Sequence, residues 1–194
     1  MKKKWIFLFT ILILSFFVIG AGCGTQIKSM DSSEYCGFNI DSITVEEIKN
    51  NGFEGELEFW EPEPIEELEL KSGTVYRNEN KNIYVQETPS SCNLWYKFKS
   101  NDLTYRIRII QEKNRQLTPE REFRQDCLVT NEFGEASCEL ILLSASFNVY
   151  FIKNNLSVIV LAFPPWGSNI SERSDLGTIK ENVKRMARIV ESKI

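Results

Sequence analysis

The chain has 194 residues, with 23 basic and 27 acidic side chains, five cysteines and no histidine. The missing histidine removes Ser-His-Asp and Cys-His nucleophile activation, histidine metal sites and the usual proximal haem ligand. The acidic balance argues against nucleic acid, whose phosphates reward clustered Lys and Arg.

Lys2, Lys3 and Lys4 precede 18 uncharged residues, WIFLFTILILSFFVIGAG. A basic start, an apolar run and small residues at its end are the parts of a secretory signal. Ile19-Gly20-Ala21-Gly22-Cys23 resembles the lipobox of prokaryotic lipoproteins, although Gly20 stands where such boxes usually carry Leu. The resemblance implies that residues 1–22 are a signal peptide. It also implies that Cys23 becomes the new N-terminus and carries a diacylglyceryl group, whose palmitate-type chains hold the protein on the extracytoplasmic side of the cell membrane. An uncleaved signal anchor and an incidental thiol in a cleaved signal are the other two readings. All three export residues 24–194, because Lys2–Lys4 hold the N-terminus inside.

Without the first 22 residues, 20 basic groups face 27 acidic ones, a net charge of −7. That charge gives no polybasic grip on anionic lipid, so attachment rests on the N-terminal lipid. The polar stretch GTQIKSMDSSEY predicts a flexible spacer over residues 23–35, followed by a single exported domain over 36–194.

Within SITVEEIKNNG, Thr44 and Glu47 form a capping box, Ile43 and Ile48 a hydrophobic staple, and Gly52 a stop. A short helix is predicted there. The next stretch holds eight glutamates between Glu54 and Glu69 with no basic residue, interrupted by Pro62 and Pro64. From Thr74 the apolar period becomes two. TVYRNENKNIYVQE predicts a hairpin turning near Asn78–Asn82. LWYKFKSNDLTYRIRIIQE predicts a second, with Trp95, Lys97 and Lys99 opposite Leu94, Tyr96 and Phe98, and Arg106 and Arg108 opposite Tyr105, Ile107 and Ile109. LTPEREF has Thr118 as a cap and Pro119 at the first helical position. ASFNVYFIKNNLSVIVLAF predicts a third hairpin around Asn154-Asn155, its second arm apolar on both faces and so expected to be covered on both sides. Leu176, Ile179, Val183, Met186, Val190 and Ile194 form the stripe of a long terminal helix. The fold class expected is therefore α+β. It is a mainly antiparallel sheet of hairpins, packed against a long C-terminal helix and one or two short helices.

Cys36, Cys92, Cys127 and Cys138 remain after Cys23, an even number that predicts two disulfides in an exported chain. Three connectivities are open. Asn131 and Gly134 let the chain reverse between Cys127 and Cys138, which favours that pair and leaves Cys36 for Cys92.

No Ser-x-x-Lys, phosphate loop or dinucleotide fingerprint occurs, and no cofactor or metal is expected. Phe59 and Trp60 in FWEPEPI and Trp166 in FPPWGSN are candidate recognition residues, because loop aromatics anchor interfaces, while core packing is their ordinary alternative. The reading is a lipid-anchored, non-catalytic binding module of the cell envelope. Its partner would be an envelope protein or glycan. A carboxylate-dependent, glycosidase-like hydrolase is the rival, drawing two acids from the glutamate-rich stretch.

Overall fold

The computed structural model describes residues 26–60, 73–78, 80–123, 127–142, 145–165 and 168–194. Cys23, Trp166 and the acidic residues 61–69 lie outside them.

Strand β1 (Gln26–Ser29) falls inside the expected spacer and runs parallel to a later strand, β5 (Thr74–Arg77), with Gln26 opposite Thr74 and Ser29 opposite Arg77. Four polar or exposed residues can form a strand here because an edge position asks only for backbone pairing, not for burial. β2 (Glu34–Tyr35) and β3 (Phe38–Asn39) make a small hairpin around Cys36, whose φ of +54° is tolerated at a two-residue turn with Gly37.

Helix α1 (Val45–Asn50) starts where its caps require. Thr44 Oγ1 accepts the Glu47 N–H at 3.1 Å, and Ile43 and Ile48 are both buried. The Glu47 side chain does not close the expected box but lies 2.7 Å from Lys193 Nζ. A short β4 (Glu58–Phe59) follows, then the predicted hairpins: β5 with β6 (Ile83–Glu87), and β7 (Ser91–Ser100) with β8 (Leu103–Glu112). The single turn α2 (Pro119–Glu122) has Pro119 at its start, but the Thr118 side chain makes no capping bond. β9 (Leu128–Thr130) and β10 (Ala136–Leu142) pair antiparallel. β11 (Ser146–Lys153) and β12 (Leu156–Phe163) form the third hairpin, turning at Asn154 and Asn155, both at positive φ.

The strands join in the order β1-β5-β6-β7-β8-β12-β11-β10-β9, antiparallel except for β1 with β5, and β4 pairs with the far end of β7. The 18-residue helix α3 (Leu176–Lys193) lies across one face, against β11 and β12. Ile179, Val183, Met186 and Val190 meet Val158, Val160, Phe147, Val149 and Phe151 there. On the same face Leu94, Tyr96, Phe98, Tyr105, Ile107 and Ile109 are buried under α1 and the β2–β3 region, with Tyr96 Oη donating to the Ile40 carbonyl at 3.0 Å. The antiparallel, hairpin-built sheet with a C-terminal helix is thus the architecture that the alternating apolar pattern encodes.

Two cysteine pairs lie at disulfide distance. Cys36 and Cys92 have Cα atoms 5.3 Å apart and join the β2–β3 turn to β7; Cys127 and Cys138, 5.8 Å apart, close the β9–β10 connection.

β12 is central in the sheet, but it is not equally covered on its two sides. Val158, Val160 and Ala162 on the helix face are fully buried, whereas Ile159, Leu161 and Phe163 on the opposite face are half-buried. No described helix longer than one turn lies over that outer face.

Candidate binding face

Strand periodicity places Tyr84, Trp95, Lys97, Arg106 and Arg108 on the outer face, opposite the core residues that alternate with them. Register then brings them side by side. Tyr84 is opposite Trp95, Trp95 opposite Arg108, Arg108 opposite Ile159, and Lys97 opposite Arg106. Tyr84 and Trp95 stack at 4.9 Å with an 18° interplanar angle. The Arg108 guanidinium sits 5.2 Å from the Trp95 ring centre, and that of Arg106 is 5.4 Å from Phe163. Lys97 Nζ lies 5.1 Å from the Trp60 ring, whose backbone N–H donates to the Lys97 carbonyl at 2.9 Å. Cation–π contacts of this kind hold the cationic heads flat on the sheet.

Arg106 and Arg108 are short of counter-charges among the described residues. Arg108 Nη2 donates to Asn93 Oδ1 at 2.8 Å, a neutral acceptor. Neither Arg106 nor Arg108 pairs with a described carboxylate, and the Nε of each is buried without a hydrogen-bond partner among the described residues. Electrostatics agree with the geometry. Burial, and then the neighbouring Arg106, push the Lys97 ammonium down to about 8. Burial also holds the Arg108 guanidinium below its ordinary value, with Arg106 adding to the effect. The Tyr84 hydroxyl is raised by burial against the pull of both arginines. The strip is a partly desolvated positive surface. Such a surface gains most from an anion, since a guanidinium binds carboxylate or phosphate in a two-pronged geometry.

Several of the described acids are engaged elsewhere. Glu58 lies 3.1 Å from Lys99 across the β4–β7 pair, Glu54 lies 3.2 Å from Arg185, and Glu132 and Glu139 both bind Lys184. A groove of about 310 Å³ between α1 and α3 is lined by Glu47, Asn51, Arg185, Arg188, Ile189 and Ser192. Its single carboxylate, Glu47, is tied to Lys193, so the groove does not offer the acid pair of a glycosidase. Among the described residues no cluster of three or more acids or cysteines is arranged to hold a metal ion.

No family model matches the chain, and neither a curated protein nor a solved structure matches it.

Of the sequence-selected aromatics, Phe59 is half-buried and packs 4.7 Å from Phe98, a core contact. Trp60 is at the rim of the cationic strip, and Trp166 lies outside the described residues. Tyr84, Trp95, Arg106, Arg108 and Phe163 were not singled out as recognition residues. Alternation had already set Trp95, Lys97, Arg106 and Arg108 opposite the core. Only the adjacency of β8 and β12 brings Phe163 and Ile159 beside the arginines, and no local pattern encodes strand order.

Proposed function

We propose that this chain is a lipid-anchored extracytoplasmic protein whose domain is a non-catalytic binding module. Its partner is an anionic component of the envelope, held on the outer sheet face by Arg106 and Arg108. The observation that carries this reading is the pair of half-buried guanidiniums with no described carboxylate partner, flanked by Trp95, Tyr84 and Phe163. The lipobox-like residues around Cys23 support the anchor. No described helix is long and apolar enough to cross a membrane.

The test is crosslinking of the native protein on intact cells, followed by identification of the adduct. Arg106→Gln with Arg108→Gln should remove that adduct while the thermal midpoint stays level or rises, because two poorly compensated charges are lost. An adduct undiminished in the double variant overturns the assignment of this face. Cys23→Ser should block processing and leave a longer precursor in the membrane; a mature wild-type N-terminus without lipid overturns the anchor.

A further inference from the structure

Between Cys23 and the first ladder residue, Gln26, stand only Gly24 and Thr25. Three Cα-to-Cα steps reach at most about 11 Å. Gln26 is fixed to the sheet from its first backbone group, its N–H donating to the Gly73 carbonyl at 3.0 Å, and the strand is closed at its far end by Met30 N–H on Arg77 O at 3.0 Å. A lipid on Cys23 therefore cannot leave the domain free above the bilayer.

We propose that the β1–β5 edge of the sheet rests on the bilayer surface, with Ile27 as its apolar contact and Lys28 and Arg77 as its headgroup contacts. The proposal rests on the lipid-anchor reading. Ile27 is one of two large apolar side chains exposed among the described residues, at 41 %. The other, Val129, is on β9 at the opposite edge, about 35–40 Å away across the ordered strands. An exposed isoleucine gains from the headgroup–acyl boundary that the tether places beside it. Lys28 is exposed, its ammonium 5.9 Å from the Tyr76 ring, and neither Lys28 nor Arg77 pairs with a described carboxylate. Anionic headgroups supply those partners. Of the two acids nearest in sequence, Asp31 accepts from Tyr35 Oη at 3.0 Å, and Glu34 is exposed. The N-terminal strand thus acts as a short mount that fixes orientation, and the cationic strip begins two strands inward from it.

The test uses the full chain purified with its native lipid and reconstituted in vesicles of phosphatidylcholine and phosphatidylglycerol. The vesicles contain a phospholipid with a headgroup-proximal diazirine, and labelled peptides are mapped by mass spectrometry. Label should concentrate on residues 26–29 and 74–77. Ile27→Asp should lower it severalfold. Inserting twelve Gly/Ser residues between Thr25 and Gln26 lengthens the tether to a root-mean-square span of about 20 Å and should lower label at least about twofold. Lipidated protein labelled on β9 or α3 instead, label unchanged by the insertion, or label replaced by contacts with a second copy of the chain overturns the proposal and leaves the anchor intact. Absence of lipid on Cys23 in the same spectra overturns the anchor itself.

Discussion

The Asn182 side chain reads the backbone of Glu54 twice, its Nδ2 donating to the Glu54 carbonyl at 2.9 Å and its Oδ1 accepting the Glu54 N–H at 2.9 Å. An amide is the one side chain with a donor and an acceptor side by side, so it can complete a strand-like pairing from a helix. Asn182 is 2 % exposed, in the middle of α3, and the segment it holds carries the buried Phe53 and Leu57. Asn182→Ala removes both of these part-buried hydrogen bonds. The expected loss is about 2–3 kcal/mol by urea denaturation, with the slope of the transition unchanged.

Glycine positions give a paired prediction of opposite sign. Gly134 has φ +57°, and a Cβ there would collide with the Ile152 carbonyl oxygen. Gly134→Ala should cost more than about 2 kcal/mol. Gly177 is in the first turn of α3 with open space around it. Gly177→Ala should stabilise by about 0.5 kcal/mol, because alanine restricts the unfolded chain and fits the helix. Thermal midpoints of the two variants decide both.

Much of this architecture was legible in local chemistry. The Thr44 cap and the Ile43–Ile48 staple placed α1, and the Leu176–Ile194 spacing placed α3, because both depend on neighbours within a few residues. The hairpins at Asn101, and at Asn154 and Asn155, were readable for the same reason: asparagine tolerates the left-handed backbone that these turns use. β1 was not readable. Its residues are polar or exposed, so burial wrote no pattern into them, and its pairing depends on β5 some 48 positions later, Gln26 with Thr74. The outer face shows the same limit. Composition marked Lys97, Arg106 and Arg108 as basic, but strand order decides what lies beside them.

The two cysteine pairs differ in loop length, and their removal should differ accordingly. Cys36 and Cys92 are 56 residues apart, Cys127 and Cys138 only 11. In the chain-entropy account the first constrains the unfolded state by about 4 kcal/mol and the second by about 3 kcal/mol. Cys36→Ser with Cys92→Ser should therefore be the more damaging pair in denaturant titration. It should also free the β2–β3 hairpin from β7, read as faster hydrogen exchange at Phe38 and Ile40. Equal losses from the two pairs would show that loop closure does not set the difference between them.

Stability should rise with pH before it falls. Lys97 binds its proton less tightly in the folded protein, about 8, than in the unfolded chain at 10.5. Between those values the unfolded state holds more protons, so unfolding free energy increases with pH, by at most about 1.4 kcal/mol per unit for one group. Below pH 8 the ammonium is charged in both states, and the cost of burying it is fully expressed. Tyr84, Tyr96 and Tyr105 act in the opposite sense. Burial raises each above the ordinary value of 10, so above pH 10 the unfolded chain loses protons that the folded protein keeps, and stability declines. The profile should climb from about pH 8, pass a maximum between about 9 and 10, and descend steeply beyond it. Lys97→Met should flatten the climb and leave the descent in place, because the tyrosines are untouched. Denaturant midpoints measured every half unit from pH 7 to 11 test this. A climb that survives in Lys97→Met would assign it to another group.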